Sequence, residues 1–324
     1  MSDTKYAYAV ARIRALENGL FSSAQIEQLL SVKSYEGALR FLTEHGWGDA
    51  DTPLSAEAIL TREKAKSWET VRDLLKGDDA ILAVLSYGDL YHNLKAAIKD
   101  AAAPGSHGNV YFDDCEVDGA RMSKIVAEKD WQALPAHMRE AAKEASETFL
   151  HTGDGQLCDI IVDRSALAAI YECGKNASDA IIRDYAETTV AVADIKIAVR
   201  SQKTGKHLDF MRRAMAPCDS LNIERLSQAA LGGVGAICEY LEGTRYGGGA
   251  QALKESPSAF ERWCDNRMIE TMRPQKYQAF SVGPLVAYIV ARENEIKTVR
   301  IILTGKQNQF PEEAIRERIR EMYG

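Results

Sequence analysis

The sequence lacks several features that would mark large classes of protein. Its 40 basic residues do not outnumber its 47 acidic residues, and the formal net charge is −7. It therefore has no general excess of positive charge for wrapping nucleic acid, and we expect no nucleic-acid partner. The six cysteines are dispersed, without a C-x-x-C pair, so we interpret them as buried thiols of an intracellular protein.

Long apolar runs and an N-terminal targeting segment are also missing. Residues 277–291 form the longest stretch without charge, but these fifteen residues are interrupted by Gly283 and Pro284. Because a transmembrane helix needs about 20 apolar residues, we expect no membrane span. The first ten residues contain Asp3 and Lys5 and no apolar run, which argues against a secretory signal.

Helical patterning is present almost throughout the chain. Most of the eight prolines lie where a helix would begin or has just ended. Apolar residues keep a 3.6-residue spacing from Pro284 to Thr304, which predicts a helix that ends at Gly305. The one strand candidate, residues 109–113, is interpreted as a loop. The predicted fold class is all-α.

A tripeptide of one polar residue, one aliphatic residue and lysine recurs with its lysines at 95, 196 and 297, two steps of 101 residues. The three copies are Asn93-Leu94-Lys95, Asp194-Ile195-Lys196 and Glu295-Ile296-Lys297. Thr204-Gly205-Lys206 recurs as Thr304-Gly305-Lys306 at a step of 100, so the register slips by one residue and the copies are approximate. This periodicity predicts three similar helical units, which we place at 1–105, 106–206 and 207–324.

Catalytic and cofactor motifs fail when tested. A phosphate loop needs G-x-x-x-x-G-K-[ST]. In this sequence the position of the motif's first glycine, five residues before each Gly-Lys pair, is occupied by Arg200 or Arg300. We therefore interpret both glycines as helix ends. The other glycine clusters lack dinucleotide-binding spacing, and His137 with Glu140 is an isolated pair without further ligands. We expect no catalytic residue, no cofactor and no metal site.

The repeated lysines leave two interpretations open. They could form an inward-facing basic ring on three related helices, or they could be the solvated ends of amphipathic helices.

Three parts of the sequence resemble one family, the C subunits of V/A-type ATP synthases, which are the counterparts of the d subunit of the eukaryotic V-ATPase. The C-terminal run GPLVAYIVARENEIKTVRIILTGK at 283–306, followed by PEEAIRER at 311–318, carries the resemblance most specifically. Tyr6-x-Tyr8-x-x-Ala11-Arg12-Ile13-Arg14 with Leu29-Leu30 matches the opening helices, and Asn93-Leu94-Lys95 matches the first internal copy. Asp194 departs from the asparagine expected in that column.

The resemblance implies a fold, a function and partners. The fold would be three helical units around a pseudo-threefold axis, forming a funnel, with the N-terminal helices shared across it. The chain would be a non-catalytic rotor subunit, cytoplasmic and peripheral on the membrane. It would join central-stalk subunits to the membrane proteolipid ring during proton or sodium transport. For the stalk interface we select the basic residues of the repeated helices: Arg12, Arg14, Lys95, Lys196, Lys297 and Arg300.

Two other classes of function remain open at this point. One is a helical-repeat scaffold that binds soluble partners. The other is an all-helical enzyme with a dispersed site, which would need a pocket holding perturbed titratable groups.

Overall fold

The structure is a computed structural model that describes residues 5–77, 79–102, 111–112 and 115–324. Every regular element in these ranges is a helix, which confirms the predicted all-α class. Of the strand candidate at 109–113, only residues 111 and 112 are described, and neither lies in a strand.

The helices follow one another with short connections. In chain order the described α-helices are α1 (Ala7–Glu17), α2 (Ser23–Ser31), α3 (Tyr35–Glu44), α4 (Ala56–Leu75), α5 (Ala83–Ala102), α6 (Gly119–Glu128), α7 (Arg139–Thr152), α8 (Gly155–Lys175), α9 (Ala180–Lys203), α10 (Leu208–Ala214), α11 (Ile223–Gly232), α12 (Val234–Glu242), α13 (Gly247–Glu255), α14 (Pro257–Met272), α15 (Gly283–Gln307) and α16 (Glu312–Arg316). Short 3-10 helices cover Asp79–Leu82, Trp131–Ala133, Ala136–Met138 and Arg273–Tyr277.

Side chains that accept hydrogen bonds from the first turn fix many of the helix starts. Ser256 shows the arrangement: its hydroxyl accepts from the main-chain N–H of Ala259 at 3.0 Å, and Pro257 occupies the first helical position. Such caps satisfy main-chain donors that have no partner inside the helix. The other side-chain caps are Ser22, Ser34, Ser55, Asp118, Asp154 and Asn222.

The chain divides into two compact units. Unit 1 comprises residues 1–80, 179–185 and 248–324, and unit 2 comprises residues 81–178 and 186–247. Helix α9 begins in unit 1 and continues in unit 2. The division into three repeated units stays a prediction.

The core of unit 1 is organised by α15. Every residue from 283 to 292 is buried, as expected for a helix that is surrounded by others. Helix α15 packs against α1, α3, α4 and α14. Further along, Val299 and Leu303 join a cluster with Leu29, Leu42 and Trp47.

The predicted end of α15 at Gly305 is wrong, because the helix continues to Gln307. A Cβ atom on Gly305 would lie 2.5 Å from Cγ1 of Ile315, so the glycine allows α16 to approach closely. The corresponding Gly205 follows the end of α9 with φ +65°, the left-handed conformation of a helix-ending glycine. The same tripeptide therefore has two different structural roles.

Unit 2 has its own core, built from α5, α6, α7 and α8. Leu94, Met122, Ala142 and Val162 are fully buried within it. Since each unit encloses its own apolar cluster, each can hold its helices in fixed positions.

Candidate functional site

The three copies of the repeated tripeptide share a feature that lies before the lysine. Asn93 on α5, Asp194 on α9 and Glu295 on α15 each have a fully buried side chain. Each of these side chains accepts a hydrogen bond from the main chain of a segment outside its own helix. The repeated polar residue is therefore an anchor for that segment.

The anchored segments differ from copy to copy. Asn93 binds both sides of Phe112, since its Oδ1 accepts from the N–H and its Nδ2 donates to the carbonyl, each at 2.8 Å. Asp194 Oδ1 accepts from the N–H of Ala216 at 3.1 Å. Glu295 Oε1 accepts from the N–H of Phe21. The lysines were predicted from the sequence and these anchors were not, although the sequence shows a polar residue at a constant step in apolar helices.

Two of the repeated lysines form ion pairs with a neighbouring helix. Lys95 Nζ lies 2.6 Å from Asp163 Oδ1 on α8. Lys297 Nζ lies 2.6 Å from Asp265 Oδ2 on α14, and that carboxylate also accepts from Arg320 Nε at 2.6 Å. Both pairs are partly exposed, so these lysines are neither buried nor isolated.

Lys196 in the second copy is half-buried and lines an open groove on unit 2 together with Arg200. The inward-facing ring of the three lysines stays a prediction.

The predicted arginines have different environments. Arg12 is exposed on α1. Arg14 is bound bidentately by Glu17 at 2.8 and 2.7 Å and donates to the carbonyls of Gln275 and Gln278 at 2.6 and 2.8 Å. It therefore holds the segment that follows α14.

Arg300 is half-exposed and contacts Glu57 Oε2 at 2.7 Å. The hydrogen bond from Arg300 lowers the pKa of the Glu57 carboxyl below its usual value.

A buried ionic cluster surrounds the anchor of the third copy. Arg292 donates to both Glu63 and Glu295, and its guanidinium lies 4.9 Å from the ring of Trp47. All three charged residues are buried. Burial raises the pKa of the Glu295 carboxyl, while Arg292 opposes that change.

Glu63 makes further hydrogen bonds outside the pair with Arg292. Glu63 Oε1 also accepts from the N–H of Gly48 at 2.9 Å and from Lys66 Nζ at 2.8 Å. Because these hydrogen bonds reach four separate parts of unit 1, the cluster fixes their relative positions.

No three histidine, cysteine, aspartate or glutamate side chains among the described residues lie close enough to hold a metal ion. No described helix combines the length and apolar character needed to cross a bilayer. The groups that the structure brings together are anchors and ion pairs, whose chemical effect is to hold segments in place.

Comparison with known proteins places this geometry in a family. The family model described as ATP synthase (C/AC39) subunit matches residues 9–318. The chain belongs to this family. The resemblance of the C-terminal run and the opening helices is therefore confirmed.

Relatives of the chain are named as C subunits of A-type or V-type ATPases. The C subunit of the A-type ATP synthase of Methanothermobacter thermautotrophicus is 25% identical, over 96% of this chain and 87% of the relative. The C subunit of the V-type sodium ATPase of Enterococcus hirae is 21% identical over 82% of each chain. The C subunit of the A-type ATP synthase of Methanocaldococcus jannaschii is 23% identical over 95% of this chain and 84% of the relative. The chain is thus similar over most of its length to C subunits of both A-type and V-type ATPases.

Proposed function

We propose that this chain is a non-catalytic rotor subunit that couples the central stalk to the membrane proteolipid ring of a V/A-type ATPase. The observation that carries the proposal is the family match over residues 9–318. In this role the chain lies at the cytoplasmic face of the membrane and is held there through the ring. It takes part in proton or sodium transport without binding nucleotide.

The internal anchors support this role. A protein that couples rotation to transport must transmit torque without deforming, and close-packed helical interiors transmit strain well. Glu295 and Asn93 add hydrogen bonds that tie distant segments to the central helices α15 and α5. Such ties limit the relative motion of helices under load.

The proposed architecture is three similar helical units, 1–105, 106–206 and 207–324, around a pseudo-threefold axis in the form of a funnel. The stalk interface is proposed to use the basic residues selected from the repeat, since positive side chains can orient an incoming partner. Those residues are Arg12, Arg14, Lys95, Lys196, Lys297 and Arg300.

A tagged copy recovered from solubilised membranes tests the function. We expect the central-stalk and proteolipid subunits of a rotary ATPase in the eluate. Recovery of soluble partners alone would contradict the coupling role and would favour a helical-repeat scaffold.

Replacing Lys95, Lys196 and Lys297 together by Glu tests the interface. We expect weaker association with the purified stalk, and a smaller difference from the unmodified chain at high salt, because exposed charges are screened. The matched control replaces the exposed lysines Lys124, Lys203 and Lys254 by Glu, which changes the net charge equally. Equal stalk affinity of the two triple variants would reject this interface.

A further inference from the structure

The connection between α10 and α11 is held against α9 by two carboxyl groups. We call this connection, residues 215–222, the strap. At one end of it, Asp194 accepts a hydrogen bond from the N–H of Ala216 at 3.1 Å. Towards its other end, Glu187 accepts from two main-chain N–H groups of the strap at 3.1 and 2.8 Å. Seven residues, or two helical turns, separate Glu187 from Asp194, so both lie on one face of α9.

Helix α8 also holds the strap. Arg164 Nε donates to the carbonyl of Met215 at 3.1 Å, and the hydroxyl of Tyr171 donates to Asp219 Oδ1 at 2.6 Å. Met215 is fully buried beneath these contacts, as is the next residue of the strap. The strap therefore has a fixed path over α8 and α9, and each of its ends depends on a different carboxyl of α9.

No cation binds the carboxyl at the Asp194 end. The side chain of Asp194 is 0% exposed, and its Oδ2 has no hydrogen-bond partner among the described residues. In the third copy of the repeat, Arg292 lies three residues before Glu295 and donates to it. The same position before Asp194 is occupied by Ala191. A buried carboxyl without a bound cation is more stable in its neutral form.

Groups on three elements act on this carboxyl. Burial raises the pKa of Asp194 and the negative charge of Glu187 raises it further, while the strap N–H and Arg164 on α8 lower it. Cys218 on the strap is uncharged, because burial raises the pKa of its thiol. Beyond them, Arg245 lies 3.6 Å from Glu187. The resulting pKa of Asp194 is about 8, so this carboxyl is mostly protonated at neutral pH.

We propose that the Asp194 end of the strap is a pH-sensitive latch, which is closed while Asp194 holds a proton and opens locally as that proton is released. Opening brings the carboxyl into water, where its pKa returns to about 3.8. Because the closed form holds a proton that the open form releases, closure is most favourable below about pH 4 and weakens as the pH rises to about 8. Above that pH both forms have lost the proton, and opening stops changing. This inference does not depend on the proposed function.

Amide hydrogen exchange of the full chain tests the latch. Protection factors correct for the intrinsic effect of pH on exchange, so that a change in protection reports local opening. We expect protection of the Ala216 amide to fall about tenfold or more between pH 6 and pH 8 and then to level off. The Phe112 amide is the reference, because it binds Asn93, which does not titrate, in the same unit. Its protection should stay constant.

Two acid-to-amide variants show which carboxyl is responsible. Asp194→Asn has no proton to release, so its Ala216 amide should be protected equally at pH 6 and pH 8. Asp209→Asn makes the same change at an exposed carboxylate of α10 and should follow the unmodified chain. The inference would be overturned by Ala216 protection that does not depend on pH in the unmodified chain, or that falls equally in Asp194→Asn. Parallel loss at Ala216 and Phe112 would also overturn it, since unit 2 as a whole would then open.

The carboxyl carbon of Asp194, observed by NMR in the unmodified chain, tests the latch without any substitution. We expect its chemical shift to titrate with a midpoint near pH 8. A midpoint near pH 4 would overturn the inference, because the carboxyl would then be charged in the closed form at neutral pH.

Discussion

The second and third copies of the repeat hold a buried carboxylate at the same position but in different electrostatic surroundings. Glu295 is bound by the Arg292 guanidinium as well as by the N–H of Phe21. Asp194 accepts one hydrogen bond, from Ala216, and its Oδ2 has no hydrogen-bond partner among the described residues. The anchoring geometry is thus repeated while the compensation of charge is not.

The groups around Asp194 explain this difference. Glu187 on the same helix is negative and raises the pKa of Asp194. Burial raises the pKa of the nearby Cys218 thiol, which is therefore neutral. Arg164 on α8 lowers it, but its Nε donates to the carbonyl of Met215 and not to Asp194. Burial dominates and raises the pKa of Asp194 to about 8. At neutral pH this carboxyl is therefore mostly protonated and resembles the amide of Asn93.

The largest expected effect comes from removing the compensation in the third copy. Arg292→Met keeps the length of the side chain but leaves Glu63 and Glu295 buried without their shared cation. We expect the free energy of unfolding to fall by about 3–5 kcal/mol at neutral pH, measured by urea denaturation. The loss should shrink as the pH falls, because burial raises the pKa of the Glu295 carboxyl, which then takes up a proton.

The control for this variant is Arg40→Met, which alters an exposed arginine of unit 1. Its stability should stay within about 0.5 kcal/mol of the unmodified chain. If Arg292→Met lowered the free energy of unfolding by as little as Arg40→Met, the buried cluster would not stabilise unit 1.

The acid-to-amide change should have opposite effects in the two copies. Asp194 has a higher pKa in the folded chain than the usual 3.8, so between about pH 4 and 8 the folded state holds a proton that the unfolded state has already released. The unmodified chain thus loses stability as the pH rises through that window. Asp194→Asn cannot lose this proton, and we expect its advantage over the unmodified chain to grow from pH 5 to pH 8.

Glu295→Gln is the counterpart in the third copy. It leaves Arg292 with one carboxylate partner fewer, so we expect a loss of about 1–3 kcal/mol at pH 8. Denaturation of both variants at pH 5 and pH 8 checks the comparison. If both substitutions changed the free energy of unfolding in the same direction at pH 8, the two carboxyls would not differ in charge compensation.

The two Thr-Gly-Lys copies give a smaller contrast. Gly305→Ala places a methyl group against Ile315, at an expected cost of about 1–3 kcal/mol. That cost should be lower in an Ile315→Ala background, because the contact is then absent. Gly205→Ala meets no neighbouring atom but strains a backbone at φ +65°, at about 1 kcal/mol, independent of Ile315→Ala. Thermal denaturation of these single and double variants distinguishes a side-chain contact at Gly305 from backbone strain at Gly205. If Ile315→Ala left the stability cost of Gly305→Ala unchanged, the close approach of Ile315 to Gly305 would be contradicted.

The smallest effects are expected at the repeated lysines. Lys95→Met and Lys297→Met remove ion pairs that are partly exposed, so each should cost less than about 1 kcal/mol. The cost should vanish in about 1 M salt, where such pairs are screened. A loss comparable to that of Arg292→Met would mean that the lysines, and not the buried polar residues, hold the copies together.

Helix content and family could be predicted from the sequence, whereas the end of α15 could not. The apolar spacing from Pro284 is a local property and correctly predicts the helix. The role of Gly305 depends on Ile315, whose approach is set by the packing of α16. Local patterns cannot report such tertiary contacts.

The repeat located the three anchor positions, but their partners were not predictable. The main-chain groups that they bind lie 19, 22 and 274 residues away along the chain. Because these separations do not repeat, no period in the sequence points to Phe112, Ala216 or Phe21. The lysines were selected because charge can be read directly from a sequence. The burial of a polar residue is seen only in the folded chain.

Ion transport by reconstituted complexes tests the coupling role most directly. Vesicles containing the rotary ATPase assembled with or without this chain are supplied with ATP, and hydrolysis is measured alongside acidification or sodium uptake. We predict that complexes lacking the chain continue to hydrolyse ATP but no longer transport ions, and that adding it restores transport. Transport that continues without the chain, or hydrolysis that stops when it is omitted, would contradict a non-catalytic coupling role.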